Sequence, residues 1–146
     1  MPGSRQYCTF LLDGHLFGVE VRQVQEVLRY QALTRVPLAS PVVRGLINLR
    51  GQIVPALDLR RRLELPERAA EEQPLNVVVA TDDGPVSFLV DQIGDVLEVG
   101  EEQFEAAPNT LRGPVRQLIG GAYKLPERLL LVLEPETLIG PAAGTT

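Results

Sequence analysis

The chain has no tryptophan, and its 146 residues include one cysteine, one histidine and one methionine. The lone cysteine, Cys8, excludes an intrachain disulfide and suits a reducing compartment. The lone histidine, His15, follows the Asp13-Gly14 turn directly and has no cysteine or carboxylate at a spacing that suggests a catalytic triad or a metal site. Aromatic residues make up 5% of the chain against 45% hydrophobic residues overall, so the core must be aliphatic. No apolar run approaches the roughly 20 residues of a membrane span, and Met1-Pro2-Gly3-Ser4-Arg5 lacks the apolar stretch of a signal peptide. The expected location is cytoplasmic. A basic excess is also missing: the formal net charge is -5 and the pI about 4.9. Since a basic footprint supplies most of the affinity for nucleic acid, nucleic acid is not an expected partner.

Catalytic motifs are absent in the same way. Gly113 and Gly120-Gly121 lack the following Lys and Ser/Thr of a phosphate-binding loop. Asp91 with Asp95, and Asp82 with Asp83, read as turn residues and solvated strand ends. The sequence therefore predicts no catalytic residue, no cofactor and no metal. Arg60-Arg61-Arg62 is the one basic cluster, flanked by Asp58, Glu64 and Glu67. Those acidic neighbours favour a solvated helix face with local salt bridges, or part of a protein interface, over a phosphate site.

What is present is a series of short hydrophobic segments separated by turn residues. Tyr7 to Leu12 and Leu16 to Val21 read as two strands joined at Asp13-Gly14, a pair that accepts positive φ. Val21, Val24, Val27 and Leu28 fall three and four apart, which predicts a two-turn helix with one inward face. Leu46 to Leu49 is a strand, and Pro55 in the next apolar run predicts an edge or bulge position. Asp58 is placed to cap a short helix from Leu59 to Leu63. Glu64 to Pro74 is the most polar stretch and reads as a surface crossing. Leu75 to Ala80, Val86 to Val90 and Val96 to Val99 are further strands, and Glu101 to Pro114 is a loop. Ile119 to Tyr123 and Leu129 to Leu133 form a last strand pair, followed by one helical turn from Pro135 to Leu138. Strands this short and this frequent favour barrels or a sandwich over a parallel sheet with crossover helices.

The most informative segment is Arg44 to Arg60, RGLINLRGQIVPALDLR, where two apolar runs meet at Arg50-Gly51. The string G-x-x-N-L-R-G-x-I-V-P-x-x-D-L-R resembles the signature of the CheW family, coupling proteins that join chemoreceptors to the histidine kinase CheA. The resemblance extends upstream through Phe17 to Val21, Val24 to Val27, Thr34 to Pro37 and Pro41, and downstream through Phe88 to Leu97. The short polar end, Gly140 to Thr146, departs from relatives with longer tails.

The resemblance implies a mainly β domain spanning residues 1–146, built as two small five-stranded SH3-like barrels that share a core, with a few short helices and the crossing at 64–74. It implies a non-enzymatic adaptor whose partners are the regulatory domain of a CheA-type kinase and the cytoplasmic tip of a chemoreceptor, with assembly into rings or arrays at the inner face of the membrane. Carried over by position, Val24 and Gly45 are the expected kinase-binding residues, and Ser87, Ile93 and Val96 the expected receptor-binding residues. Glu26 and Arg50 are expected to form an interface charge pair. Two further readings stay open at this point: the same scaffold in a non-flagellar chemosensory pathway, serving gliding, pilus motility or gene regulation, and an enzyme of an unrecognised kind.

Overall fold

The computed structural model describes residues 4–35, 41–69, 72–105 and 118–139. Four expectations fall wholly or partly outside these residues: the loop at Val36-Pro37, the centre of the crossing at residues 70 and 71, the loop beyond Glu105, and the end from Gly140 to Thr146.

Eleven strands are described. They are β1 (Ser4–Leu12), β2 (His15–Glu20), β3 (Val24–Leu28), β4 (Val43–Leu49), β5 (Gln52–Asp58), β6 (Leu75–Thr81), β7 (Gly84–Val90), β8 (Gln92–Gly100), β9 (Phe104–Glu105), β10 (Ile119–Lys124) and β11 (Leu129–Leu133). Two single-turn helices, α1 (Leu59–Arg62) and α2 (Pro135–Leu138), follow β5 and β11. The strands form two sheets, a six-stranded one in the order β8-β1-β2-β11-β10-β9 and a five-stranded one in the order β3-β6-β7-β5-β4. Most neighbours are antiparallel. The exceptions are β2 with β11 and β5 with β7, which run parallel.

The turns follow from residue chemistry. Asp13 and Gly14 both take positive φ, 50° and 80°, the geometry that lets a two-residue hairpin match the twist of its strands. Arg50 and Gly51 repeat it between β4 and β5, with φ of 51° and 87°. The Asp58 carboxylate caps α1 by accepting from the Arg60 and Arg61 amides at 3.0 and 3.4 Å, an interaction worth about 1 kcal/mol.

Two expectations are corrected. The segment from Val21 is not a two-turn helix: Val21–Gln23 makes a single 3-10 turn and Val24–Leu28 is strand β3, paired with β6 through Val24 opposite Val79 and Val27 opposite Val77. Its burial alternates, so Val24, Glu26 and Leu28 are half-covered while Val27 faces outward. Of the edge or bulge expected at Pro55, the edge fails, because β5 lies between β7 and β4, while the β4–β5 pairing does shift register just beyond it, between Val43 and Gly45 opposite Leu57 and Ala56. The missing N–H is harmless there. Parallel pairing with β7 begins one residue later, at Ala56 opposite Ser87, and Leu46, the residue opposite Pro55, bonds to Thr34 instead.

The five-stranded sheet curls until the chain beyond its outer strand β3 meets the other outer strand, β4. Thr34, beyond β3, and Leu46 on β4 exchange N–H to O=C bonds of 2.9 and 2.8 Å. The main apolar cluster takes Phe10, Leu12 and Phe17 from one sheet and Val77, Val79 and Phe88 from the other, together with Leu59 and Leu138 from the two helices. Burial of each such side chain contributes roughly 1.5–3 kcal/mol, so the two sheets stabilise each other. A second cluster, centred on Tyr7, Tyr123 and Leu130, lies within the six-stranded sheet alone.

Candidate functional site

The β4–β5 turn displays a cation. Its shape is fixed by Gly51, by the positive φ of Arg50, and by the Asn48 side chain, whose Oδ1 accepts from the Gly51 amide at 2.9 Å. Arg50 Nη2 donates to Glu26 Oε2 on β3. The arginine side chain is 73% exposed and the glutamate 25%, so the pair lies at the surface with its acid partly sheltered.

Val24 lies on the same strand as Glu26, and Gly45 on the strand that leads into the Arg50 turn. Val24 is half-buried and packs on the main core cluster. Gly45 is buried where the chain around Thr34 crosses β4, and a Cβ there would sit 2.7 Å from the Thr34 carbonyl oxygen. Val24 and Glu26 thus lie on β3 and Gly45 on β4, the two outer strands of one sheet, and the Arg50 of the turn after β4 reaches Glu26. Sequence reasoning missed two exposed apolar residues in the same sheet, Val27 on β3 and Ile53 at the start of β5, 42% and 56% exposed. The alternation of β3, had it been read as a strand, would have turned Val27 outward.

The second group does not hold together. Ile93 and Val96 are exposed on β8, an outer strand of the six-stranded sheet. Ser87 is fully buried on β7 and donates its hydroxyl hydrogen bond to Asn76 Oδ1 at 2.7 Å. Asn76 Nδ2 in turn donates to the Arg29 carbonyl, just beyond β3, at 3.1 Å. Ser87 therefore offers no side-chain surface, and its influence runs through Asn76 toward the end of β3.

Arg60, Arg61 and Arg62 are not the solvated face expected of them. Arg60 is largely buried and donates through Nε to Asp91 at 3.0 and 3.2 Å, and through Nη1 to the Pro66 carbonyl at 2.6 Å. Arg61 reaches the Pro41 carbonyl and Glu67, and Arg62 Nε donates to the Leu138 carbonyl at the end of α2 at 2.7 Å. Each arginine ties α1 to a different part of the chain. Asp91, expected at a solvated strand end, is instead the centre of this network. Burial pushes its carboxyl pKa upward, but hydrogen bonds from Arg60, the Asp13 amide and Arg68 outweigh burial and hold it below the usual carboxylate value.

The remaining titratable candidates carry no reactive geometry. Burial raises the pKa of the Cys8 thiol, which disfavours the nucleophilic thiolate. The His15 ring lies edge-on to Phe17 at 6.3 Å. Among the described residues no group of three or more His, Cys, Asp or Glu is arranged to hold a metal ion, and no helix is long and apolar enough to cross a membrane.

Comparison with known proteins accords with this geometry. Residues 6–142 match the family model of the CheW-like domain. The chain is 33% identical over 130 residues to the chemotaxis protein CheW of Bacillus subtilis (strain 168), covering 89% of this chain and 83% of that protein. It is 29% identical over 136 residues to the chemotaxis protein CheW of Klebsiella aerogenes, covering 93% and 82%. The crystal structure of the scaffolding protein TtCheW from Thermoanaerobacter tengcongensis shares the fold, with a TM-score of 0.85, 22% identity and 97% of each chain covered. A family-model match over nearly the whole length, together with a relative 33% identical over most of both chains, makes the chain a member of the CheW-like family.

Proposed function

We propose that this protein couples chemoreceptors to a CheA-type histidine kinase through two separate surfaces. The kinase regulatory domain docks on the outer strands β3 and β4, around Val24, Gly45 and the Glu26–Arg50 pair. The tip of a receptor's helical hairpin docks along β8, with Ile93 and Val96 as apolar contacts, in the manner of a helix face laid into an apolar groove. Ser87 serves from beneath, through Asn76. The observation that carries this reading is the Glu26–Arg50 pair, a charge pair held at the surface by a constrained turn, with Val27 on β3 and Ile53 at the start of β5 exposed in the same sheet. An exposed pair contributes only about 0–1 kcal/mol to folding, whereas truncating one member of a pair desolvated by a partner often costs on the order of 2–5 kcal/mol of binding.

Two surfaces on different sheets let one molecule hold both partners at once. A head-to-tail contact with the kinase domain can close into rings or extend into an array, which the receptors place at the inner face of the membrane. One cooperative domain suits that task. The shared apolar cluster supports a single unit of two barrel-like halves, each built on one sheet.

The test is calorimetric titration of the purified protein with receptor cytoplasmic fragments and with the kinase regulatory domain from the same cell. Independent binding of both, in a ternary complex, is the expected result. Failure to bind either partner at micromolar concentration would reject the reading.

A further inference from the structure

Arg68 stands apart from the rest of the polar crossing between α1 and β6. Pro66, Glu67 and Ala69 around it are exposed, yet its own side chain is only 7% exposed. The guanidinium enters between two carboxylates. Nη1 lies 3.6 Å from Asp58 Oδ2, and Nη2 donates to Asp91 Oδ1 at 3.1 Å. Asp58 is the last residue of β5, while Asp91 is the single residue between β7 of the five-stranded sheet and β8 of the six-stranded sheet. Among the described residues, Arg68 is the only guanidinium that reaches both acids.

The placement of Asp91 matters because the chain passes there from one sheet to the other. Its N–H donates to the Leu11 carbonyl at 3.0 Å and its Oδ2 accepts from the Asp13 amide at 2.9 Å. None of these contacts comes from β8. As an outer strand β8 is paired only with β1, and that pairing shifts register between Cys8 and Phe10. The first residues of β8 are held by β1, through Gln92 opposite Leu11, Ile93 opposite Phe10 and the Thr9 hydroxyl donating to the Asp95 carbonyl at 2.6 Å, and the anchored carboxylate fixes the chain where it enters that pairing.

We infer that Arg68 is a positioning residue: by bridging Asp58 and Asp91 it sets the direction in which β8 leaves the five-stranded sheet, and with it the placement of Ile93 and Val96. Its effect on receptors rests on the reading of β8 as the receptor face. Arginine suits the role because its planar fork can address two carboxylates together, whereas a lysine ammonium is a single point charge that serves one at a time. The bridge is not essential for folding, since Arg44 still reaches Asp58 and Arg60 still reaches Asp91.

Amide hydrogen exchange and titration on Arg68→Gln and Arg68→Lys test this. Both variants are expected to exchange the β8 amides near Gln92 to Val96 at least fivefold faster than the parent protein, the lysine variant less so than the glutamine one. Affinity for a receptor hairpin fragment should fall at least fivefold, while affinity for the kinase regulatory domain stays within twofold. Faster exchange confined to residues 64–69, with β8 unchanged, would show a local pin and overturn the inference. Faster β8 exchange with receptor affinity unchanged would support the positioning role and reject β8 as the receptor face.

Discussion

Arg50, held at a φ of 51° in the β4–β5 turn, pairs with Glu26 on β3, the outer strand at the opposite end of the same sheet. The pair lies across the seam where the sheet curls back on itself. Arg50→Ala removes an exposed pair, so the melting temperature is expected to stay nearly unchanged. Association with the kinase regulatory domain is expected to weaken at least roughly tenfold, about 1.4 kcal/mol. Thermal unfolding together with calorimetric titration checks both halves, and unchanged affinity for that domain would remove Arg50 from the site.

Gly45 sits on that seam. A Cβ placed 2.7 Å from the Thr34 carbonyl forces backbone apart on the strand that Thr34 bonds. Gly45→Ala is expected to destabilise the fold by about 1–3 kcal/mol, the usual range for overpacking. The melting temperature should drop about 2–4 °C for each kcal/mol. A melting temperature within a degree of the parent would show that Thr34 yields freely.

The depressed Asp91 carboxyl makes stability depend on acid. A carboxylate whose folded pKa lies below its unfolded value, about 3.9, stabilises the fold above that value and loses its contribution as pH falls through the folded pKa. Unfolding midpoints in denaturant should decline below about pH 4 more steeply in the parent than in Asp91→Asn. Parallel curves for the two proteins would contradict the assignment.

Nucleotide and nucleic acid should both fail to bind. The sequence offers no phosphate loop, and α1 directs its three arginines to carboxylates and carbonyls of the chain itself. Titration with ATP and magnesium is expected to give no heat of binding at micromolar protein, and DNA or RNA no salt-sensitive shift. Micromolar affinity for either would reopen the search for an enzyme or a nucleic-acid surface.

The hairpins were legible from the sequence because their signals are local. Asp13-Gly14 announces positive φ, Gly51 supplies the backbone freedom of a tight turn or bulge, and Asp58 before Leu59 announces a cap. The segment after Glu20 misled because three valines at helical spacing satisfy one face of a helix, while their β-branched side chains also favour a strand. Pairing with β6, a partner some fifty residues away, decides for the strand. Glu26 meets Arg50 from a strand, half-covered at the margin of the sheet. The Asp91 network was not legible at all. Arg60, Arg68, Asp13 and Asp91 are brought together only by the crossing of the two sheets, and nothing in their local spacing signals it.

The parallel pairing of β2 with β11 has a consequence for the order of folding. Leu16 must wait for Leu130, so the six-stranded sheet needs both ends of the described chain, whereas the five-stranded sheet is complete once Val90 is available. Such distant pairing is slow, because the entropy of closing a long loop is spent before the contact repays it. During synthesis the first hairpin is therefore expected to remain unsealed until the last strand emerges, exposing the β2 edge and the Tyr7 side chain that Tyr123 and Leu130 cover. Proteolysis of chains stalled just before and just after β11 would show it as protection of the first hairpin gained in a single late step.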